Sequence, residues 1–314
     1  MNKVHYRLYQ PSVDTISITS DIAKSHPEPG PVNKWLGLWQ LMRFHKPIGT
    51  WLLAAPTAWS LVLASEGLPR TDLLIIFALG VIVMRAAGCV ANDLADRKLD
   101  GFVERTRYRP LITGAVSTGE ALGLLAFLLI IALLLVLMTN QLTVMLSLVG
   151  AGLAMVYPFM KRWTHLPQFV LGAAFSWSIP MAFAAATNSL PAGLWWLFFA
   201  NLLWTVVYDT QYAMVDIDDD LAIGIKSTAI LFGRMDRRLI GLMQLISLEC
   251  FVMAGVSFKL GLAYFIAIAA VGAMFLWHQW LIRERDKVNC FKAFNQSKWI
   301  GLIVLTGIVG QFAG

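Results

Sequence analysis

Residues 73–92 read LLIIFALGVIVMRAAGCVAN, and residues 93–100 follow as DLADRKLD. The first string carries a single charge, Arg85, and is long enough to cross the roughly 30 Å hydrocarbon core of a bilayer as a helix, which takes about 20 apolar residues. The second string places three carboxylates and two cations directly at the end of that run. A span ending in a burst of acid is the unit from which the rest of the chain is read.

Working outward, the same alternation recurs. Apolar runs of spanning length lie near 47–65, 73–92, 120–138, 141–160, 166–186, 194–212, 240–257, 262–280 and 298–314. Short turns at Gly67–Pro69, Thr139–Gln141 and Asn188–Pro191 alternate with longer, charged connections. The sequence therefore predicts an all-α polytopic membrane protein, nine helices in one bundle. Composition agrees: 58% of the 314 residues are hydrophobic and only 14% charged, against roughly 25% charged in soluble domains. Mean hydropathy is +0.65. Residues 1–34 are polar and predict a poorly ordered cytoplasmic tail, leaving 35–314 as a single transmembrane domain.

Of the 25 Lys and Arg, 22 fall in the tail and the long connections. Arg70 and Lys259 lie on the opposite side, and Arg85 lies within a span. Basic residues stay with the cytoplasmic loops, so the N-terminus and the charged loops are expected in the cytoplasm and the C-terminus outside. The net charge of +6 is then loop charge, and no nucleic-acid partner is implied. Cys89, Cys250 and Cys290 have neither metal-ligand nor disulfide spacing. No Walker loop, CxxC or HExxH is present, and no obligate protein partner is evident.

Acidic residues number 19, and two clusters hold many of them. Asp93, Asp96 and Asp100 are spaced by three and four at the end of span 2. Asp209, Tyr212, Asp216 and Asp220 are spaced by three, four and four at the end of span 6. Each set falls on one face if its helix continues. Stacked carboxylates repel unless a cation sits among them, and Mg²⁺ commonly bridges carboxylates to substrate phosphates. A solvated helix end is the alternative for either cluster alone. Arg85 lies seven residues before Asn92 on the same face, and a charge inside a span points to a functional interior. Arg109, Lys161 and Arg162, the last two after an expected break at Tyr157-Pro158, add cations that suit a diphosphate. Arg43 and Lys46 precede span 1, where a topology signal and a substrate contact are both open readings.

These residues resemble the UbiA superfamily of intramembrane prenyltransferases. Asn92–Asp100 meets the motif NDxxDxxxD, and Asp209–Asp220 meets DxxYAxxDxxxD. Further likeness lies in Leu41-Met42-Arg43 through Thr50, Arg85 through Cys89, Tyr157 through Gln168, and Gly224-Ile225-Lys226-Ser227-Thr228. The resemblance implies a central cavity capped by the loops after helices 2 and 6. It also implies Mg²⁺ held with diphosphate by Asp93, Asp96, Asp100, Asp209, Asp216 and Asp220. Asn92, Tyr212 and Lys226 belong to the same motifs as substrate-binding residues. It implies a polyprenyl diphosphate donor, 4-hydroxybenzoate as acceptor with Arg43 the candidate for its carboxylate, ubiquinone biosynthesis, and a bacterial inner membrane with the site on its cytoplasmic side. A relative with another acceptor (haem, homogentisate, dihydroxynaphthoate) and a cation transporter are the alternatives.

Overall fold

Capping chemistry sets where the apolar runs begin and end. Ser117 starts one helix with a reciprocal capping box to Glu120, and Asn140 starts the next by accepting from the Thr143 amide. Asn188 and Gly224 end two others in left-handed conformation, which closes a helix by turning the chain away from its axis.

The computed structural model describes residues 33–98, 101 and 106–312, and these contain helices and no strand. In chain order the helices are α1 (Lys34–Leu41), α2 (Ile48–Ala64), α3 (Thr71–Asp96), α4 (Thr118–Leu137), α5 (Gln141–Trp163) and α6 (Pro167–Ser176). They continue with α7 (Ser178–Thr187), α8 (Leu194–Ile223), α9 (Thr228–Phe232), α10 (Asp236–Ser257), α11 (Leu262–Leu281) and α12 (Lys287–Phe312). From Lys34 onward the chain is one compact unit. Most of the tail expected over 1–34 lies outside the described residues.

Among the described residues, helix stands at all nine predicted segments. Six helical stretches are long and apolar enough to cross a membrane. The α2 run is 17 residues, and α8 and α12 dilute their apolar halves with polar ones. The protein is an all-helical membrane bundle.

Two local expectations, the break at Tyr157-Pro158 and the start of span 9, are corrected. Span 5 stands as one stretch over Pro167–Thr187, interrupted only at Trp177 between α6 and α7, because Pro180 has no N–H to give the carbonyl of Ser176. No break occurs at Tyr157-Pro158: α5 runs through Pro158 to Trp163, since one lost hydrogen bond does not end a helix held on both sides. Span 9 begins at Lys287, not 298, and Asp286 caps it by accepting from the Asn289 amide at 2.9 Å. The helix continuation that the acid spacing required is present among the described residues, since α3 runs to Asp96 and α8 to Ile223.

Lipid tails are as apolar as leucine, so helices in a bilayer associate through close packing and buried hydrogen bonds. The core shows both. Trp59 donates to the carbonyl of Gly301 at 2.9 Å, and Tyr264 donates to that of Phe251 at 2.8 Å. A Cβ on Gly301 would come within 2.7 Å of the Ala55 side chain, so this glycine lets α2 and α12 touch. Trp59, Trp204, Phe183 and Phe251 fill the centre. Leu148, Met155, Leu245 and Leu276 are exposed and face lipid.

Candidate active site

One cavity of about 1090 Å³ runs through the bundle. It is large beside the roughly 300–1,000 Å³ of ordinary ligand sites. Arg43, Arg85, Asn92, Asp93, Asp96, Arg109, Lys161, Asp209, Tyr212, Asp216, Asp220 and Lys226 all line it. Arg162 does not, and Asp100 lies outside the described residues.

The α3 face carries Asp93 and Asp96, each 1% exposed. Arg43 donates to Asp93 Oδ1 at 2.7 Å, and Arg109 Nη1 stands 3.0 Å from the same oxygen. Arg43 reaches it from the turn after α1, where its own φ of 59° reverses the chain. In that turn His45 is held below the usual histidine range by partial burial and then by the charges of Lys46 and Arg43. Lys161 pairs with Asp96 Oδ2, and Arg162 stands 3.6 Å from Oδ1 while donating to the carbonyl of Ala95. Arg162 thus braces the end of α3 from outside the cavity.

The α8 face is placed by its C-terminal loop. Gly224 closes the helix at φ 72°, and the Lys226 amide then donates to the carbonyl of Lys161 at 2.9 Å. The Thr228 amide donates to Gln168 Oε1 at 3.0 Å, and the Thr228 and Thr210 hydroxyls bond at 2.7 Å. These contacts tie the second motif to α5 and α6. Asp216 is buried, whereas Asp218 points out to Lys287 at 2.8 Å. Tyr212 packs on Phe294 of α12, with ring centroids 4.8 Å apart.

Arg85 is different. It lies eight residues below Asp93, so about 12 Å deeper at 1.5 Å per residue. Its Nη1 donates to Cys89 Sγ at 2.7 Å, and its guanidinium lies on Gly49, where any Cβ would collide with it. None of the carboxylate pairs found among the described residues involves Arg85. Asp209 lines the same cavity.

The residues fit Mg²⁺ in a particular way. Among the described residues no three acidic, His or Cys side chains converge as a metal cage. Yet Asp93 Oδ2 and Asp96 Oδ1 are buried without a hydrogen-bond partner, and both are hard oxygen donors. Mg²⁺ typically takes one or two carboxylates and completes its shell with phosphate and water. Two part-satisfied carboxylates ringed by cations suit a metal that arrives with a diphosphate.

Sequence reading missed several lining residues: Thr106, Tyr157, Gln168, Tyr208, Asn295 and Lys298. Asn295 was hidden by the late start given to span 9, and Lys298 stood at its first position. A three- and four-residue spacing of small buried positions, Cys290, Ala293 and Ser297, is the signal that extends α12 back to Asn295.

The sequence matches the UbiA prenyltransferase family over residues 53–302. This chain belongs to that family. It is 54% identical over 274 residues to the 4-hydroxybenzoate octaprenyltransferase of Vibrio atlanticus (strain LGP32), covering 87% of this chain and 96% of the relative. A protein of the same name from Saccharophagus degradans is 54% identical over 270 residues, covering 86% and 90%. In fold, a UbiA homologue from Aeropyrum pernix K1 superposes with a TM-score of 0.74 at 25% identity, over 83% of this chain and 97% of that one. One from Archaeoglobus fulgidus, solved with GPP and Mg²⁺, gives 0.66 at 15% identity over 87% and 99%. The chain is thus a member of an enzyme family of prenyltransferases, built as a helical membrane bundle.

Proposed function

We propose that this chain transfers a polyprenyl group from its diphosphate to 4-hydroxybenzoate, ortho to the phenol, as a step of ubiquinone biosynthesis. The acceptor rests on relatives that bear that activity as their name. The carrying observation is one continuous cavity that joins a cluster of carboxylates and cations at one end of the bundle to an apolar interior. Only an amphiphile with a strongly charged head and a long apolar tail needs both.

Asp93, Asp96, Asp216 and Asp220 would hold Mg²⁺ and diphosphate, with Arg109, Lys161 and Lys226 beside them. Bound Mg²⁺ supplies charge neutralisation for the departing diphosphate. Cations preset around that position stabilise the charge as it develops, without rearranging. The allylic C–O bond breaks with its electron pair going to diphosphate. The ring carbon ortho to the phenol forms the new C–C bond, and the hydrogen on that carbon leaves as a proton. The apolar walls exclude water, which would otherwise capture the allylic cation.

The acceptor carboxylate is better served by Arg85 than by Arg43. Arg43 is engaged by Asp93, whereas Arg85 offers its charge to the cavity two turns deeper. A ring whose carboxylate sits on Arg85 presents its ortho carbon upward, toward the diphosphate level. Asp209, which lines the same cavity, is then the carboxylate proposed to take the ring proton.

The nine segments are proposed to cross the bacterial inner membrane with both acidic motifs at the cytoplasmic side. Membranes carrying the protein, given geranyl diphosphate, Mg²⁺ and a panel of phenolic acids, are expected to yield 3-geranyl-4-hydroxybenzoate by mass. Full turnover in EDTA would sink the metal assignment, and prenylation of homogentisate alone would sink the acceptor.

A further inference from the structure

A buried tyrosine hydroxyl usually finds a partner, because a polar group taken out of water and left unpaired costs free energy. Two tyrosines among the described residues are almost fully buried, Tyr208 at 2% exposed and Tyr264 at 1%. Tyr264 donates to the carbonyl of Phe251 at 2.8 Å and so ties α11 to α10. Tyr208 lines the cavity, and its hydroxyl has no hydrogen-bond partner among the described residues.

Other hydroxyls on the cavity wall are engaged locally. Thr57, Ser147 and Ser178 donate to carbonyls three or four residues back, at 2.9, 2.7 and 3.0 Å. Thr143 donates to Asn140 Oδ1 at 2.8 Å. Outside the charged cluster, Tyr208 is the one cavity-lining residue among those described with a buried side-chain N or O left unpaired. Its ring is held by aromatic neighbours, Trp204 edge-on with centroids 5.4 Å apart and Phe294 of α12 at 6.2 Å. A fixed hydroxyl facing a mostly apolar cavity is the kind of polar group that orients a ligand.

Chemistry decides which ligand atom it meets. The diphosphate belongs to the carboxylate and cation cluster, and a prenyl tail has no atom that can hydrogen-bond. The acceptor ring has two polar ends, a carboxylate and a phenol oxygen, and Arg85 serves the first. Arg85 lies eight residues from Asp93 on α3, and Tyr208 lies eight from Asp216 on α8. Each is therefore about 12 Å along its helix from a motif carboxylate, at 1.5 Å per residue. A ring held by Arg85 at one end and Tyr208 at the other lies across the cavity and turns one ortho carbon toward the diphosphate.

We propose that the Tyr208 hydroxyl hydrogen-bonds the phenol oxygen of the acceptor and so selects rings that carry oxygen opposite the carboxylate. This rests on the acceptor reading above and adds the residue that recognises the phenol. A ring without that oxygen leaves the Tyr208 hydroxyl buried and unpaired, which is how a hydrogen-bonding site rejects an analogue.

The test compares wild type with Tyr208→Phe in membranes of equal protein abundance. Three constants are measured: KM for 4-hydroxybenzoate, KM for geranyl diphosphate, and Ki for benzoate, which keeps the carboxylate and lacks the phenol oxygen. Tyr208→Phe is expected to raise KM for 4-hydroxybenzoate roughly three- to tenfold, the scale of one neutral hydrogen bond. Ki for benzoate and KM for the donor are expected to hold. A residue that only packs the bundle would move both acceptor constants together or neither, and either result overturns the assignment. A change confined to geranyl diphosphate overturns it too. Tyr264→Phe, which loses a paired hydroxyl off the cavity wall, is expected to lower the Tm of the solubilised protein and leave all three constants alone. The Tyr208→Phe pattern appearing in Tyr264→Phe would also overturn the assignment. Wild-type membranes that prenylate another phenol and not 4-hydroxybenzoate would instead overturn the acceptor reading beneath it.

Discussion

Gly49 and Arg85 form a pair in which a missing side chain positions a charge. Because only a hydrogen occupies the Cβ direction of Gly49, the Arg85 guanidinium can lie flat on α2 and face the cavity. In Gly49→Ala the guanidinium, the far end of a flexible side chain, gives way before the helix does. The expected result is a higher KM for 4-hydroxybenzoate, worth about 1 kcal/mol as overpacking goes, with KM for the prenyl diphosphate unchanged. Arg85→Ala should raise the same KM further, by roughly 1.5–3 kcal/mol, the value of a hydrogen bond to a charged group. Steady-state kinetics on both substrates decide it: equal effects on donor and acceptor would put Arg85 in the diphosphate site. Asp93→Ala removes the carboxylate that holds Arg43 and Arg109, so turnover should collapse while the protein still inserts. Near-wild-type turnover at equal abundance would refute a role for Asp93. At this scale the two motifs were legible because acids are rare in an apolar chain and their spacing is helical. Which cation meets which carboxylate was not, because the left-handed turn at Arg43 and the Gly224 loop bring together residues far apart in sequence.

Helices were legible wherever a run was apolar throughout and illegible where it was only half so. The α12 start at Lys287 and the α8 continuation to Ile223 are polar on the exposed face and small or acidic on the other, so hydropathy alone ends them early. Pro158 misled in the other direction, since a proline marks a lost hydrogen bond rather than a helix end. A further device at this scale is the joint between α10 and α12. Arg285, at φ 55°, donates to Asp236 through Nε at 3.0 Å and Nη2 at 2.7 Å, and to the carbonyl of Arg234 at 2.9 Å. Asp236 is 1% exposed, so removing its partner strands a buried charge. Arg285→Ala is expected to cost roughly 2–3 kcal/mol. That is below the ~3–5 of a fully buried pair, because Arg285 itself is 44% exposed. The measurement is the Tm of the detergent-solubilised protein, which should fall while both KM values hold. An unchanged Tm would make the joint a surface contact of no consequence.

We propose that the whole molecule sorts its charge by side, a sorting that follows from the span count rather than from any one residue. On the proposed nine-crossing topology, the sequence assigns 22 of the 25 Lys and Arg to the side of both acidic motifs. An even count would flip every segment after the error and scatter the basic loops across both faces. Moving a basic loop against the membrane's orientation is unfavourable, so the segregation and the odd count support each other. The site's chemistry asks for the same arrangement, because Asp93, Asp96 and Asp216 can share one metal–diphosphate cluster only if the ends of α3 and α8 emerge on one face. The prediction is therefore a C-terminus on the far side of the membrane from the acidic motifs. A reporter that is active only outside the cytoplasm, fused after Gly314, should be active. The same reporter inserted between Arg107 and Arg109, in the connection after α3, should be silent. Activity from the second fusion and silence from the first would invert the map. Silence from both would mean an even number of crossings and would remove the charge argument for the cytoplasmic placement of the site.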